Sequence, residues 1–189
     1  MRGAREAILK SGMKLFAEKG YAGTSTREIC QEAGITKPVL YYHFQGKEDL
    51  YQQLMVQIFS EDLDNILTMA RKRGSLRQRL VHMVREDFRH VRANPVRVQF
   101  VLRMIFSAED KRPYFGYIPE VKKQREVLMR VFQDAIDAGA AHGDPEELAT
   151  ALMGINLISV LEHQFTGRAT LTHRRAERNV ELVLKNCTP

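Results

Sequence analysis

Apolar residues recur every three or four positions along nearly the whole chain, and runs in which apolar and polar residues alternate are scarce. The first spacing places apolar side chains on one face of an α-helix, whereas strict alternation is typical of a half-buried strand. Leu76, Leu80, Val84, Phe88 and Val91 show the helical spacing over four turns. The sequence therefore predicts an all-α fold of about nine helices.

Local signals mark where several of these helices begin and end. Ser25 and Glu28 have the spacing of a capping box, in which each side chain satisfies a free backbone N–H of the first turn. Gly34 supplies the left-handed turn that ends the same short helix. Thr36 is placed to cap the next helix, and residues 144–147, Asp-Pro-Glu-Glu, form a start signal for the eighth.

The charge balance indicates an anionic partner, because the net charge is +6 and the isoelectric point is near 9.4. The charge is unevenly distributed: residues 1–47 carry a net +4, residues 48–70 −5, residues 71–103 +8 and residues 104–189 −1. The largest basic excess therefore lies in the middle of the chain, outside the motif described below.

Composition argues against several classes of protein. With 44% hydrophobic and 28% charged residues, the chain is too apolar to be disordered. The longest apolar stretch, residues 148–161, is too short to span a membrane, and the N-terminus has no signal-peptide core. We therefore expect a cytoplasmic protein with no membrane partner. Cys30 and Cys187 lack metal-type spacing, so we expect packing roles for both and neither a metal nor another cofactor.

Two short helices joined by a glycine-containing turn, within residues 27–43, have the pattern of a helix-turn-helix. In that motif the first helix braces against phosphates and the second enters the major groove, whose edges distinguish all four base pairs. The same helix pair also occurs as a corner of helical bundles, so the pair alone does not decide the function. Beneath it we expect a small core of Ile8, Phe16, Ile29, Ala33, Ile35, Leu40, Phe44 and Leu50.

The stretch FAEKGYAGTSTREICQEAGITKPVLYYHFQGKEDL, residues 16–50, resembles the signature of the TetR (tetracycline repressor) family of regulators. The match covers about the first quarter of the chain. Two residues depart from the usual pattern: Cys30 replaces a small alanine, and Pro38 replaces glycine or alanine and stiffens the second helix of the motif. The positions in register are Gly20-Tyr21, Thr24 to Ile29, Ala33-Gly34, Leu40-Tyr41, His43-Phe44 and Lys47-Glu48.

The resemblance implies a three-helix DNA-binding domain over residues 1–48 and a helical ligand-binding and dimerisation domain over residues 49–189. Lys37 is the best candidate for a base donor, and tyrosine and histidine would mainly position the helix on the phosphate backbone. The family's DNA contacts correspond here to Ser25, Thr26 and Arg27 before and within the first helix of the motif, to Thr36, Lys37, Tyr41, Tyr42 and His43 at the recognition helix, and to Lys47 at the start of the fourth helix.

The eighth helix is apolar nearly all round, so it must be covered on more than one side. One side can pack against the same domain, and the other needs a partner. The TetR-family dimer is a four-helix bundle of the last two helices, which implies a homodimer here. A helix buried entirely within its own domain is the alternative.

Residues for a small-molecule effector are assigned by chemical character. Asn156, Ser159, Glu162 and His163 suit a ligand pocket, but they could equally bond one another or solvent at the dimer seam. A basic helix face would bind an anionic ligand if it faced inward and would otherwise be solvated. That face carries His82, Arg85, Arg89 and Arg92. The remaining candidates, which suit a core as well as a ligand cage, are Phe59, Phe88, Phe100, Met104 and, in a predicted loop over 109–119, Phe115 and Tyr117.

Together these features predict a ligand-responsive transcriptional regulator. We expect a repressor that binds a palindromic operator in double-stranded DNA as a dimer and leaves it when an effector binds, with the tilt of the fourth helix as the lever. Activation in place of repression is also open, and a nonspecific DNA-coating protein is an alternative. No catalytic constellation is present beyond the lone pair Glu162-His163, so we do not expect an enzyme.

Overall fold

A computed structural model of the chain describes residues 2–106, 119–185 and 187. Every regular element within these ranges is an α-helix, which confirms the predicted fold class. The predicted loop over residues 109–119 lies outside the described residues except for Pro119, which begins a helix. The helices are α1 (Arg2–Lys19), α2 (Thr26–Ala33), α3 (Lys37–His43), α4 (Lys47–Ala70), α5 (Leu76–Ala93), α6 (Pro95–Phe106), α7 (Pro119–Asp137), α8 (Pro145–Thr166) and α9 (His173–Leu184).

The described chain forms two compact units, and the first consists of residues 2–61 and 94–106. This N-terminal unit holds α1 to α3, most of α4, and α6. Its core is aromatic: the Tyr51 ring lies 5.0 Å from that of Phe16 and 5.1 Å from that of Phe100, measured between centroids. Among the predicted core residues, Ile8, Phe16, Ile29, Leu40, Phe44 and Leu50 are at most 2% exposed, whereas Ala33 and Ile35 are only half-buried.

Two arginines hold α6 in the N-terminal unit. Arg103 donates to the carbonyl oxygens of Ala17 and Glu18, 3.0 and 3.2 Å away, in the last turn of α1. Carbonyls at that end have no partner within their own helix, so the guanidinium satisfies them. Arg97 donates to the Ile58 carbonyl oxygen of α4 at 2.8 Å and pairs with Glu61. Part of the central basic excess therefore has an internal structural role.

The second, C-terminal unit comprises residues 62–93, 119–185 and 187. In it α5 packs against α9, and α8 packs against both α7 and α9. Phe88, Phe132, Leu152 and Val180 are almost completely buried at these contacts. The unit therefore has an apolar core of its own.

Helix starts follow the predicted signals with one exception. The Ser25 hydroxyl accepts from the Glu28 N–H while the Glu28 carboxylate accepts from the Ser25 N–H, which confirms the capping box. Asp144 caps α8 by accepting from the Glu146 N–H at 2.8 Å. Thr36 occupies the N-cap position of α3, but its side chain makes no capping bond. Proline at the second helical position removes one of the N–H groups that such a cap uses.

Candidate DNA-binding surface

The turn between α2 and α3 fixes the direction of the recognition helix. Gly34 ends α2 with a φ of 65°, a left-handed conformation that costs glycine little, and its N–H bonds back to the end of that helix. The next N–H, of Ile35, donates to the Cys30 carbonyl oxygen at 3.0 Å. These bonds form a short rigid corner, as a helix-turn-helix requires.

The recognition helix α3 is anchored on one side and open on the other. Leu40 is completely buried, whereas Tyr41 is 53% and Tyr42 72% exposed. Lys37 is exposed as well, and the half-buried His43 ring lies edge-on to that of Tyr42, with centroids 5.0 Å apart. Large aromatic side chains are seldom left so open without a partner surface. The helix thus presents a cation, two phenols and an imidazole outward.

The side chains before and within α2 differ in their exposure and in whether they are already hydrogen-bonded. The Ser25 hydroxyl is already engaged in the capping box. Arg27 is exposed and Thr26 half-buried, and Thr36 at the start of α3 is exposed. These residues therefore lie at the N-terminal ends of the two helices of the motif.

Lys47, in the first turn of α4, is held by the segment that follows α1. Its ammonium donates to the Tyr21 carbonyl oxygen at 2.8 Å and lies 4.2 Å from the centroid of the Tyr21 ring. A cation over an aromatic face is stabilised by the ring quadrupole. Lys47 therefore links α4 to the end of α1, a contact that the sequence pattern does not reveal.

Two titratable groups in the motif have shifted pKa values. Hydrogen bonds from the Lys19 ammonium and from the Ser25 hydroxyl and N–H hold the pKa of Glu28 at about 2, so this carboxylate is charged throughout the physiological range. Burial raises the pKa of the Cys30 thiol. That thiol therefore stays protonated, in keeping with a packing role.

The motif is matched by known proteins. Residues 8–54 match the model of the bacterial regulatory proteins of the tetR family. A segment of 71 residues is 35% identical to the IcaR negative transcriptional regulator of the biofilm operon icaADBC in Staphylococcus aureus and spans 38% of each chain. A Mesorhizobium loti structure described as a TetR-family transcriptional regulator is 25% identical over the full length of both chains, with a TM-score of 0.75.

Residues 8–54 therefore form a DNA-binding domain of the TetR family. The stearoyl-CoA complex of the Bacillus subtilis transcriptional regulator FadR shares the fold, with a TM-score of 0.81 over 95% of this chain and 97% of that one, at 16% identity. The chain spans only 38% of the length of the curated relative IcaR. The family match over residues 8–54 thus confirms the helix-turn-helix, whereas the individual DNA contacts remain predictions.

The effector candidates of the N-terminal unit lie in its core. Phe100 is 1% exposed and packs against Phe16 and Tyr51, and Met104 and Phe59 are 3% and 5% exposed. A ligand at these residues would have to replace side-chain contacts that the structure already contains. Phe115 and Tyr117 lie outside the described residues.

The candidates of the C-terminal unit are divided between buried and exposed positions. Asn179 of α9, 1% exposed, donates from Nδ2 to Asn156 Oδ1 and to Ser159 Oγ, both at 2.9 Å. The Glu162 carboxylate pairs with Arg175, and His163 Nδ1 lies 2.8 Å from the Arg168 carbonyl oxygen. These four candidates therefore have partners within the unit, at Asn179, Arg175 and Arg168, and their role in effector binding stays a prediction.

The basic face of α5 is mostly turned to solvent. Arg85 and Arg89 are exposed, and Arg89 pairs with Glu86. The Nε2 atom of half-buried His82 lies 2.5 Å from the Lys72 ammonium, while Phe88 is buried in the core. Arg92 donates to the Leu171 carbonyl oxygen. A groove of about 650 Å³ elsewhere in this unit, between the start of α5 and the end of α9, includes none of the predicted effector residues.

The part of the chain that the structure describes contains neither a metal-binding cluster nor a membrane-spanning helix. No group of three or more His, Cys, Asp or Glu side chains is arranged there to hold a metal ion. No helix in those ranges has both the length and the apolar character needed to cross a membrane.

Proposed function

We propose that the protein is a dimeric, ligand-responsive transcriptional repressor that binds a palindromic operator in the cytoplasm and has no enzymatic activity. The observation that carries the DNA-binding part is the exposure of Lys37, Tyr41 and Tyr42 on a short helix whose opposite side is anchored by buried Leu40. Such a helix can enter the major groove and contact base edges and phosphates together. IcaR, which is similar to 38% of this chain, is a negative regulator, and this supports repression.

A continuous apolar face on α8 supports dimerisation. Leu157, Ile158 and Phe165 are 40%, 64% and 80% exposed, and Leu161, between them on the same face, is half-buried. With Gly154 they follow the spacing of residues that share one helix face. Leu182 of α9 is 49% exposed. We propose that a second copy of the chain covers these side chains, because an apolar surface of this extent is seldom left in water.

Gly154 lies within this face. A Cβ atom built at this position has no neighbouring heavy atom within 4 Å, so the protomer leaves the space above it open. Two helices can approach closely where one of them lacks a side chain. We propose that the α8 helices of the two protomers pass nearest to each other here.

Two-fold symmetry of the dimer determines the form of the operator. Recognition helices related by such an axis contact half-sites about 34–36 Å apart or at a multiple of that distance. An effector that favours a conformation with another separation would weaken binding, and a difference of about 1–3 kcal/mol changes affinity about 5- to 150-fold. We propose that residues 49–189 hold the effector and that the tilt of α4 transmits its binding.

The effector is proposed to be a small molecule with a large apolar portion. FadR, which has the same fold, is seen in complex with stearoyl-CoA, whose acyl chain is apolar. Here the core of the C-terminal unit is mainly leucine and valine with Phe88 and Phe132, side chains that can make apolar contacts with such a ligand. The polar groups Asn156, Ser159, Glu162 and His163 would then exchange their present bonds for bonds to the polar end of the ligand.

Selection from a random pool of DNA duplexes tests the proposal. The full-length chain is expected to enrich one palindromic sequence, to protect two half-sites of it from cleavage and to bind it as a dimer by light scattering. Affinity for the enriched duplex should exceed that for a shuffled duplex by about 10³-fold or more at physiological salt. Equal affinity for both would favour the nonspecific DNA-coating protein.

A second measurement tests the effector. Stearoyl-CoA and free stearate, added separately, are the first probes for release of the enriched duplex. Release by either would support an apolar effector, whereas retention of the duplex with both would overturn the acyl-chain assignment and leave DNA binding intact.

A further inference from the structure

Arg5 of α1 contacts the residues on both sides of the connection between α3 and α4. Its Nη2 atom donates to Gln53 Oε1 of α4 at 2.7 Å. Its Cζ atom lies 5.5 Å from the centroid of the Phe44 ring, the C-cap residue of α3. One side chain near the N-terminus therefore contacts the end of the recognition helix and the helix that follows it.

The contacts continue from Gln53 to the connection itself. Gln53 Nε2 donates to Asp49 Oδ1 at 2.9 Å, and Asp49 Oδ2 accepts the backbone N–H of Gln45 at 2.8 Å. Gln45 follows Phe44 directly, so the series returns to the residue that Arg5 covers. We call these five residues, Arg5, Phe44, Gln45, Asp49 and Gln53, the Arg5 network.

From this arrangement we infer that Arg5 is a positioning residue for the recognition helix. Phe44 is 2% exposed, and its φ of −141° and ψ of 139° mark the point where the chain leaves the helix. Tyr42 and His43 immediately precede this point, so the orientation of their side chains depends on how the end of α3 is held. The inference rests on the proposed operator binding and adds to it a residue that lies outside the helix-turn-helix.

Arginine suits this position for a geometric reason. Its planar guanidinium can lie against an aromatic ring while its N–H groups donate in the plane, which a lysine ammonium cannot do. Arg5 is exposed, so its contribution to overall stability is small. Contacts to base edges, by contrast, require positioning within about 0.5 Å. The loss of Arg5 should therefore affect operator recognition more than folding.

A direct contact between Arg5 and a DNA phosphate is the competing role, and the two roles predict different results. A phosphate contact depends on the charge alone: Arg5→Lys would retain it, Gln53→Ala would not affect it, and Arg5→Ala would lower the salt dependence of binding by about one counterion. A positioning role requires the guanidinium plane and Gln53, so Arg5→Lys and Gln53→Ala would both weaken operator binding without lowering the salt dependence.

The test measures the affinity of full-length variants for the enriched duplex and for its shuffled control at several salt concentrations. We expect Arg5→Ala to weaken operator binding about tenfold and shuffled-duplex binding less than about twofold, and Arg5→Ala/Gln53→Ala to be no weaker than Arg5→Ala, because contacting residues are coupled. Lys10→Ala, which removes one exposed charge from the same helix, is the matched control and should retain operator affinity.

The outcomes separate this inference from the proposed function. If the wild-type chain enriches no duplex, the proposed function fails. If it does, but Arg5→Lys and Gln53→Ala bind the operator as the wild type does, the positioning role is overturned and operator binding stands. Urea unfolding of each variant identifies any that fold poorly. If Arg5→Ala is among them, the operator affinity of the conservative Arg5→Lys is compared with that of the wild type instead.

Discussion

The ammonium group of Lys47 donates a hydrogen bond to the carbonyl oxygen of Tyr21 and lies over the face of the same residue's ring. An ammonium has three donors, so this contact leaves others for a phosphate oxygen. The Tyr21 ring in turn lies 5.0 Å from that of Tyr51, in the aromatic core of the N-terminal unit. Lys47 is thus a cation in a fixed position at the start of α4.

Lys47→Met should weaken binding to the enriched and shuffled duplexes by similar factors, because a phosphate contact carries no sequence information. The slope of log affinity against log salt should become shallower by about one counterion. Fluorescence anisotropy titrations at several salt concentrations measure both quantities. A loss confined to the enriched duplex would instead assign Lys47 a role in sequence recognition.

Lys37→Ala, unlike Lys47→Met, should change affinity in a way that depends on the DNA sequence. If the ammonium donates to a guanine, its removal costs about 1–3 kcal/mol at one operator position and relaxes the preference there. Affinities for duplexes with each base at that position measure the effect. Tyr42→Phe serves as the comparison, since loss of a hydroxyl that contacts phosphate should weaken all duplexes alike. Equal losses in Lys37→Ala on every sequence would remove its base-reading role.

Glu28 predicts a pH dependence of stability. Its pKa is about 2 in the folded chain, below the ordinary value of 4.5, so its contribution is complete above pH 4.5 and is lost as the pH falls toward 2. Glu28→Gln should therefore be less stable than the wild type at pH 7, and the two should converge near pH 2. Urea unfolding across this range checks the prediction. A constant difference at every pH would show that the charge is not responsible.

A charge within the apolar face of α8 should prevent dimerisation. Ile158→Glu places a carboxylate in the proposed interface, where it would be buried without a partner. Light scattering should then give the mass of a single chain of 21.8 kDa at micromolar concentration. Arg130→Glu, on the exposed surface of α7, introduces the same side chain elsewhere and should remain dimeric. An Ile158→Glu protein that is still dimeric would place the interface on another surface.

Local patterns predicted much of the fold because their causes lie within one or two helical turns. The Ser25–Glu28 capping box, the left-handed Gly34 and the Asp144 cap each depend on neighbouring residues, and all three are present. Thr36 shows the limit of such rules. Its residue type suits a cap, but Pro38 lacks an N–H that the cap would use.

Contacts between residues far apart in the chain could not be predicted from the spacing of residue types in the sequence. Arg5 and Gln53 are 48 positions apart, and Arg103 binds carbonyl groups of α1 more than 80 positions away. Nothing in the local pattern distinguishes these arginines from solvated ones, because the partners are defined only once the helices have packed. The polar side chains of α8 were ambiguous for the same reason. Asn179, which binds two of them, lies on another helix.

A substitution of Gly154 should change the stability of the single chain and the stability of the dimer in opposite directions. Within one chain, alanine would favour the helix by about 1 kcal/mol and meet no obstacle. In the dimer proposed here, the same methyl group would hold the two copies of α8 apart and loosen the packing on either side. The more heat-resistant protomer would then dimerise less tightly. Its affinity for the operator would also fall, because operator binding needs two recognition helices at a fixed distance.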